Sequence, residues 1–455
     1  MKKKDLIFLG ALTAFLAGGI ALMLIQQRVP PGMGEQHITP SEAGHYGREV
    51  ARDGEPVTAV FWISVDGFRP DYLDRADTPF FDRILAEGAY SREHQAVFPS
   101  LTFPSHASQA TGVTVREHGI TMNRFYDAET GVQHHYPGDS RLLEAEPIWI
   151  TAARQGLRVI SLDWVLAHGQ TGPHTAEIFD PEFPRGLSDE DRLRRPFERW
   201  FEDDAREPFR LTMGYAVGPD RPGHRYGPDS DEVIEAVERI DTLLGAHYRE
   251  LVTRWNERMA PEDRFYFIIT SDHGMSPVRT LVHPERLTGI EASEEVLLMF
   301  GANVAHVFLD RELPPEQRET LTESVLNRIE EIPFARAHTR DTLPPEWAYD
   351  HPSRTGDLVI ALDPGYSFSR TPEELTMDAG EAGGPLGMHG YDPREDPNMQ
   401  TIAFFQRHPR PLGGVDLGPV HALQLHPTVA RLLHIQPAPG ATAEPIELER
   451  PAAGN

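Results

Sequence analysis

The sequence predicts an α/β fold in which a mainly parallel sheet is sandwiched between helices. Seven short apolar runs carry this prediction: VTAVFWISVD, LRVISLDW, FRLTMGYAVGPD, DRFYFIITSD, VAHVFLD, DLVIALD and QTIAFF. Each run is continuously apolar, which is typical of strands buried on both faces of a parallel sheet. Amphipathic stretches such as TPFFDRILAEGA and SDEVIEAVERIDTLLGAHYRELVTRW separate several of the runs. This alternation of strands and helices favours the α/β class.

The amino terminus, residues 1–28, is predicted to be a signal anchor that forms a transmembrane helix. Leu6–Ile25 is an uncharged run behind three lysines, long enough to span about 30 Å of hydrocarbon as a helix. Lysines favour the cytoplasmic side, so the rest of the chain is expected outside the cytoplasm, on the periplasmic face of a bacterial inner membrane. A cleaved signal peptide is the alternative, but no small-residue cleavage site precedes Gln26. Residues 29–56, rich in Pro, Gly and charge, are predicted to form a tether.

The composition excludes several kinds of partner and of metal site. The chain has 70 acidic and 43 basic residues and a formal charge of -27, so non-specific binding to nucleic acid is not expected. A bound divalent metal would reverse this charge locally. The absence of cysteine excludes disulfides, thiolate ligands and a thiol nucleophile.

Six of the predicted strands end in or just before an aspartate, at Asp66, Asp163, Asp220, Asp272, Asp310 and Asp363. An aspartate favours the turn after a strand, so each one alone is more simply a turn former than a ligand. Neighbouring motifs distinguish three of them. Asp66 begins DGFRP, Asp220 lies four residues before His224 in PDRPGHRYGP, and Asp272 directly precedes His273 in SDHGM.

A further histidine, His389 in GMHGY, lies just before the run QTIAFF. Ligands of open α/β sheets bind beyond the carboxyl ends of the strands, so three carboxylates and three imidazoles are expected along one edge. This mixture of oxygen and nitrogen ligands suits zinc, and the six side chains would serve two ions. Seven other histidines are predicted to be surface, helix-cap or core residues: His94, His106, His118, His134, His135, His421 and His426.

The stretch FPSLTFPSH, residues 98–106, places three hydroxyls among prolines and phenylalanines. An ordinary loop before a helix that starts at Pro104 would explain it, because proline suits the first helical turn. The alternative is that Ser100, Thr102 or Ser105 is a nucleophile. These nine residues alone leave both interpretations open.

Seven motifs occur here in the order found in a known family: VDGFRPDYL, VFPSLTFPSHASQATG, HGITMNRFYD, EPIWITAARQG, PDRPGHRYGP, SDHGM and GMHGY. From about Val57 to His434 the chain resembles the nucleotide pyrophosphatase/phosphodiesterases, or type I phosphodiesterases, of the alkaline phosphatase superfamily. The resemblance implies an alkaline phosphatase-like catalytic domain over residues 57–455. It also implies zinc-dependent hydrolysis of phosphodiester or pyrophosphate bonds, with nucleotide-type substrates favoured.

Carried over residue by residue, the resemblance implies a site with two zinc ions per chain. One ion would be held by Asp66, Asp272 and His273, and the other by Asp220, His224 and His389. Two metals roughly 3.5 to 4 Å apart clamp the attacking and leaving oxygens of a displacement at phosphorus.

The same resemblance implies four roles at the reacting centre. Thr102 falls on the family's nucleophile, and zinc bound to its oxygen would activate the hydroxyl to form a phosphothreonine ester. Asn123, in HGITMNRF, falls on the asparagine that contacts a non-bridging phosphoryl oxygen. Phe103 and Trp164 are expected near the substrate, where each would stack on a nucleobase or else belong to the core.

Two alternatives stay open from the sequence. One is another hydrolase or transferase of the superfamily: a monoesterase, a phosphonoacetate hydrolase or a lipid head-group phosphodiesterase. A monoesterase would need a positive group in place of Asn123. The other is an inactive membrane-anchored binding protein, which is disfavoured because all six ligands and the hydroxyl are present.

About a hundred residues separate SDHGM from GMHGY, far more than an ordinary connection between two elements. They contain the strand-like runs VAHVFLD and DLVIALD and the helical stretch ETLTESVLNRIEEI. We therefore expect a smaller α+β lobe, inserted over residues of about 280–385.

Overall fold

The computed structural model describes residues 56–449 apart from residues 206, 291, 292 and 294. The predicted anchor over residues 1–28 and the predicted tether, except its last residue, lie outside the described residues and stay predictions. Among the residues that are described, we find no helix with the length and apolar character that a bilayer span requires.

The strands and helices are numbered in chain order. The strands are β1 (Thr58–Val65), β2 (Ala89–Gln95), β3 (Arg124–Asp127), β4 (Val132–His135), β5 (Val159–Ser161), β6 (Ile178–Phe179), β7 (Leu211–Ala216), β8 (Arg264–Thr270), β9 (Ser276–Pro277), β10 (Thr280–Val282), β11 (Val296–Gly301), β12 (Val304–Leu309), β13 (Ala335–Thr339), β14 (Leu358–Leu362), β15 (Tyr366–Phe368), β16 (Thr376–Asp378), β17 (Gly387–Met388), β18 (Thr401–His408), β19 (Val415–Asp416) and β20 (Val420–His421). The α-helices are α1 (Pro79–Glu87), α2 (Thr102–Thr111), α3 (Val115–His118), α4 (Ile148–Arg154), α5 (Asp189–Glu202), α6 (Asp220–Tyr226), α7 (Asp231–Arg258), α8 (Pro284–Thr288), α9 (Pro315–Glu330) and α10 (Leu425–Leu432). Short 3-10 helices cover Pro70–Asp74, Ser140–Leu142, Arg340–Thr342, Pro345–Trp347, Pro397–Met399 and Ala422–Gln424.

The main sheet has nine strands in the order β19-β2-β18-β8-β1-β7-β5-β6, with β20 also paired to β2. Its centre is parallel, because β1 pairs in parallel with both β7 and β8 and β5 pairs in parallel with β7. The exception is β18, which runs antiparallel to both of its neighbours, β2 and β8. The sheet is therefore mainly parallel, as the sequence predicted, and β18 alone makes it mixed.

The direction of β18 is determined by the edge of the sheet at which the strand begins. Just before β18, the chain forms β17, which pairs with β9 immediately beyond the carboxyl end of β8. A strand that starts at this edge has to run back across the sheet, so β18 lies antiparallel to the strands that end there.

Helices cover both faces of the main sheet, and the side chains of β1 alternate between the two cores. Phe61 and Ile63 belong to the core that also receives side chains of α1, α5 and α7. Val60 and Trp62 point to the opposite core, which includes side chains of α4 and α10. Because both faces are buried, the strand reads as a continuous apolar run.

A second, four-stranded sheet has the order β11-β12-β14-β13 and is antiparallel throughout. The runs VAHVFLD and DLVIALD form β12 and β14, which pair with each other in this sheet. Its hydrophobic core includes Val325 and Ile329 of α9. Residues between SDHGM and GMHGY thus build a sheet and a core of their own, which we call the small lobe.

Phe61 is expected to be a major contributor to stability. Its side chain is wholly buried, and the centroids of Phe197, Trp200 and Phe265 lie 6.0, 5.5 and 5.7 Å from its ring. Replacing Phe61 by Ala would leave a cavity, so we expect the free energy of unfolding to fall by about 3 to 5 kcal/mol in denaturant titrations. The control Val132→Ala, at a side chain 45% exposed, should change it by less than about 0.5 kcal/mol. Equal losses would contradict this packing.

Candidate metal centre and active site

Three adjacent parallel strands deliver the candidate ligands to one edge of the main sheet. Asp66 directly follows β1, Asp272 and His273 follow β8, and Asp220 opens α6 shortly after β7. The register places Ser64 of β1 level with both Tyr215 and Thr270, so the three strands end together. The pairing of β17 with β9 then brings His389 to the same edge.

The ligand atoms form two groups that share one histidine. Those of Asp66, Asp272 and His273 lie within 4.8 Å of one another, and so do those of Asp220, His273 and His389. Nε2 of His273 is 3.2 Å from Asp66 Oδ1 and 3.2 Å from Asp272 Oδ2. The rings of His273 and His389 stack with centroids 3.4 Å apart.

The first group matches the three ligands that the resemblance implied for one zinc. In the second group His273 takes the place expected for His224. His224 still adjoins that group, because its Nε2 lies 3.3 Å from Asp220 Oδ1 and its ring centroid lies 5.1 Å from that of His389. All six implied ligands are therefore neighbours in the structure.

The three histidines are oriented in the same way. Each donates its Nδ1 hydrogen to a backbone carbonyl: His224 to Gly387 at 2.8 Å, His273 to Gly274 at 2.9 Å, and His389 to Ser100 at 3.1 Å. A carbonyl can only accept, so each Nδ1 carries a proton and Nε2 is the atom that remains to bind a metal. This arrangement is typical of histidines that bind a metal through Nε2.

Each of the three carboxylates has one buried oxygen atom that lacks a hydrogen-bond partner in the part of the chain that the structure describes. Asp66 Oδ1, Asp220 Oδ1 and Asp272 Oδ2 accept no hydrogen bond from the described residues. Burial, followed by repulsion from Asp220, raises the pKa of Asp66, and burial with repulsion from Asp66 raises the pKa of Asp272. Buried carboxylates that repel one another need a compensating positive charge. The unpaired oxygens and the Nε2 atoms together fit divalent metal ions.

Asp220 and His224 behave as a pair of opposite charges. Burial opposes charge on both groups, but the attraction between them outweighs it. The pKa of the Asp220 carboxyl is therefore lowered, and that of the His224 imidazole is raised to about 9. A metal ion that binds here would replace the proton on His224 as the charge that Asp220 faces.

Thr102 is the first residue of α2, two positions before the predicted helix start at Pro104. Leu101 is the extended cap residue, and its carbonyl accepts the first helical bond from the Ser105 N–H at 3.0 Å. Pro104 fits inside the first turn because the N–H groups there have no intrahelical partner. The Thr102 hydroxyl lies 3.1 Å from Nε2 of His273 and so adjoins the metal ligands.

The two serines of this stretch have other environments. Ser100 Oγ donates to the Tyr391 carbonyl at 2.6 Å. Ser105 is buried in α2, and its hydroxyl has no partner among the described residues. Of the three hydroxyls, that of Thr102 is therefore the one placed within hydrogen-bond distance of a candidate ligand.

Asn123 is held beside the amino terminus of α2. Its Oδ1 accepts the Phe103 N–H at 2.9 Å, and its backbone carbonyl accepts the Tyr136 N–H at 2.8 Å. Because Oδ1 is occupied, the amide nitrogen is left as the outward donor, and it forms no hydrogen bond within the described part of the chain. A neutral donor is thus held beside Phe103, the residue that follows Thr102.

The two aromatic residues expected near the substrate have different environments in the structure. Phe103 is half-buried beside Thr102, with its ring 5.8 Å from that of Tyr136, which is 53% exposed. Trp164 is wholly buried, with its ring 4.8 Å from Trp62 and 5.3 Å from His106. Of the two alternatives given for Trp164, the structure therefore supports a place in the core, because core packing occupies its ring.

Two supporting residues were missed from the sequence. His106, predicted to be a surface, cap or core residue, is buried, donates through Nδ1 to the Thr102 carbonyl at 2.8 Å and accepts from Ser64 Oγ at 2.9 Å. Burial lowers the pKa of His106 to about 3, so the ring is neutral. Tyr215 donates its hydroxyl to Asp66 Oδ2. His106 lies four residues after Thr102, and this helical spacing could have indicated their contact. Tyr215 lies inside an apolar strand, and the sequence gives no sign of its contact with Asp66.

The fold and this site define a hydrolase with an alkaline phosphatase-like α/β architecture. A family model described as type I phosphodiesterase / nucleotide pyrophosphatase matches residues 60–392, and the chain belongs to this family. The resemblance seen in the motifs is confirmed.

Individual relatives agree with this assignment. The chain is 28% identical over 397 residues to human ectonucleotide pyrophosphatase/phosphodiesterase family member 5, covering 84% of this chain and 75% of the relative. It is 30% identical over 336 residues to the bis(5'-adenosyl)-triphosphatase of Xenopus laevis, covering 72% and 68%. The solved structure of murine family member 5 has a TM-score of 0.71 at 25% identity, covering 86% of this chain and 97% of that one.

Substitution of Gly67 tests how closely this residue packs against Asp220. Gly67 has a φ of +71°, and a Cβ added there would lie 2.9 Å from both Cα and Cβ of Asp220. Gly131 has the same φ of +71°, but nothing lies within 4 Å of an added Cβ. Each change to Ala should cost about 1 to 2 kcal/mol of stability through backbone strain.

We expect Gly67→Ala alone to lose most of the diester-hydrolysing activity, because it displaces Asp220. Steady-state assays and thermal unfolding of both variants measure the two effects. Similar activity in Gly67→Ala and Gly131→Ala would contradict the close approach of Gly67 to Asp220.

Proposed function

We propose that this protein hydrolyses phosphodiester or pyrophosphate bonds of nucleotide-type substrates at a site for two zinc ions, through a phosphothreonine intermediate. The observation that carries the proposal is the cluster of three carboxylates, each with a buried oxygen left unpaired by the described residues, and three histidines beside Thr102. Membership of the type I phosphodiesterase / nucleotide pyrophosphatase family supports the reaction class.

The residues present fit the metal ions. Asp66, Asp272 and His273 would hold one zinc, and Asp220, His224 and His389 would hold the other. When bound, the ions would act as Lewis acids that polarise a phosphoryl oxygen and lower the pKa of a bound hydroxyl or water. Oxygen and imidazole nitrogen are ligands that zinc accepts readily, and the chain has no cysteine to form a closed structural site.

The chain's own residues then carry out two displacements at phosphorus. Thr102 Oγ1 gives up its proton to solvent and forms a bond to phosphorus as the bond to the leaving oxygen breaks, and that oxygen takes up a proton from solvent. Water next cleaves the threonine ester, which releases a phosphate monoester and restores the hydroxyl. The amino terminus of α2 favours negative charge at the phosphoryl group, and the free amide nitrogen of Asn123 would donate to a non-bridging oxygen.

The neutral amide of Asn123 supports a preference for diesters over monoesters. A diester carries one negative charge near neutral pH and a monoester close to two. An amide donates a hydrogen bond to either substrate, but it cannot offset the second charge, because a hydrogen bond to a charged group contributes only about 1.5 to 3 kcal/mol.

Two further observations support a nucleotide as substrate. Phe103 is half-buried beside Thr102 and Tyr136 is exposed next to it, so the pair offers an aromatic surface on which a nucleobase would stack. The name of the Xenopus relative specifies a dinucleoside triphosphate as its substrate.

Thr102→Ala is expected to lower kcat for a chromogenic phosphodiester by about 10⁴-fold or more, because the attacking oxygen is removed. The control Ser105→Ala removes a buried hydroxyl without partners three residues away and should keep most of the activity. Wild type should show a higher kcat/KM for the diester than for the matching monoester. Turnover by Thr102→Ala at the wild-type rate, or a preference for the monoester, would refute the assignment.

Metal analysis of the full-length protein is expected to give two zinc ions per chain, and a chelator should abolish turnover. Zinc bound at a hundred times its Kd stabilises the folded state by about 2.7 kcal/mol per site, so the chelated protein should melt at a lower temperature. Asp220→Asn should also abolish turnover while the protein stays folded, since the sheet has its own core. Activity that is insensitive to chelator would contradict the metal site.

The chelated protein should also respond to pH in a defined direction. The raised pKa values of Asp66 and Asp272 mean that the folded, metal-free site takes up protons more readily than the unfolded chain. The two ionised carboxylates destabilise the folded state at pH values above their raised pKa. This effect disappears as pH falls towards the ordinary aspartate range. In chelator, the unfolding temperature should therefore rise as the pH is lowered, and this rise should be smaller in Asp66→Asn.

A further inference from the structure

One segment of the small lobe lies against the part of the chain that carries Asn123. We call residues 348–355 the clamp segment and residues 119–128 the asparagine loop. Backbone hydrogen bonds join the clamp segment to the chain on either side of Asn123. The N–H of Arg116, three residues before the loop, donates to the Ala348 carbonyl at 2.8 Å, and the N–H of Ala128, the last residue of the loop, donates to the Ser353 carbonyl at 2.9 Å. The asparagine loop is therefore bracketed by the clamp segment.

Arg354 is the centre of this contact. Its side chain is buried, and it forms an ion pair with the buried Asp127 carboxylate at 3.0 Å. The guanidinium also donates to the carbonyls of Gly119 at 3.1 Å and Leu142 at 2.8 Å. One planar side chain thus holds the first residue of the asparagine loop and the residue next to its end. The fixed fork of arginine donors suits such a multiple contact, and lysine cannot reproduce it.

Thr121, two residues before Asn123, is held from both sides by the clamp segment. The Tyr349 hydroxyl donates to the Thr121 carbonyl at 2.8 Å, and the Thr121 hydroxyl donates to the Arg354 carbonyl at 3.1 Å. Both Tyr349 and Thr121 are completely buried. Loss of one of these partners would leave a buried polar group unsatisfied, so the loop has a strong preference for this one position.

Asn123 itself is bound from the opposite side by the backbone N–H groups of Phe103 and Tyr136. It touches neither Arg354 nor Tyr349 through any hydrogen bond that the structure describes. Its amide is therefore placed by a loop that the small lobe holds and by the helix that carries Thr102. A displacement of about 1 Å at a reacting centre can cost about a hundredfold in rate.

We propose that Arg354 and Tyr349 are positioning residues, through which the small lobe holds the Asn123 amide against the phosphoryl group. The inference rests on the proposed function, because it concerns the same reaction. It gives the inserted lobe a role in catalysis besides delivering His389, and it assigns that role to side chains more than two hundred residues from the asparagine loop in sequence.

A double-mutant cycle on the zinc-loaded, full-length protein tests the proposal. Arg354→Lys and Tyr349→Phe are made alone and together with Asn123→Ala, and steady-state kinetics are measured with a chromogenic phosphodiester. In the wild-type background we expect each change to lower kcat by about tenfold or more, with a smaller change in KM. In the Asn123→Ala background the same change should alter kcat by less than about threefold, because the group it positions is gone.

Arg318→Lys is the matched control. Arg318 also belongs to the small lobe, where it pairs with Asp357 at 3.2 Å, and it makes no hydrogen bond or ion pair with the asparagine loop. It should change kcat little in either background. If Arg354→Lys and Tyr349→Phe lower kcat equally with and without Asn123, their role is merely structural and the proposal is overturned.

A second measurement does not depend on activity. The Phe103 N–H is bonded to the Asn123 side chain, so its hydrogen exchange reports whether that side chain stays in place. We expect faster exchange at Phe103 in Arg354→Lys and in Tyr349→Phe than in wild type or Arg318→Lys. Unchanged exchange would overturn the positioning role. Absence of diester hydrolysis by wild type would instead refute the proposed function, and the exchange rates would still decide whether the clamp segment holds Asn123.

Discussion

Three aspartates lie together at the carboxyl ends of adjacent strands, and their mutual repulsion is the constraint around which the site is organised. Asp66 and Asp272 each have a carboxylate oxygen without a donor among the described residues, and burial raises the pKa of both, together with repulsion from Asp220 for Asp66 and from Asp66 for Asp272. A site of this kind is costly to fold without positive charge. The nine-stranded sheet and its two hydrophobic cores supply the stability that lets the carboxylates stay in place, and divalent metal ions would neutralise them.

The backbone carbonyls that orient the histidines link the metal ligands to the rest of the active site. His389 is oriented by the carbonyl of Ser100, which lies two residues before Thr102. The position of a candidate ligand and that of the candidate nucleophile are therefore coupled through one hydrogen bond. His106 adds a second link, since it joins the Thr102 carbonyl to Ser64 of β1. The candidate nucleophile is thus attached both to the sheet and to the candidate ligands.

The small lobe explains why the two halves of the ligand set lie so far apart in sequence. It leaves the main sheet after His273 and returns just before His389, so the two histidines stack although a complete second sheet separates them along the chain. A lobe inserted at this point necessarily lies close to the reacting centre. The contacts of Arg354 and Tyr349 with the asparagine loop are the consequence.

The sequence by itself determined the class of fold, the strands that carry the candidate ligands, and which six candidate ligands lie together with Thr102. These features are local: a buried strand is a short apolar run, and a ligand follows it within a few residues. Only the tertiary structure decided that β18 runs antiparallel, that His273 is shared between both ligand groups, that α2 begins at Thr102, and that Trp164 belongs to the core. It also revealed Tyr215, Tyr136 and the clamp segment. Arg354 and Asp127 are 227 positions apart, and a contact between such distant residues leaves no periodicity or spacing in the sequence, because it exists only once both segments are folded against each other.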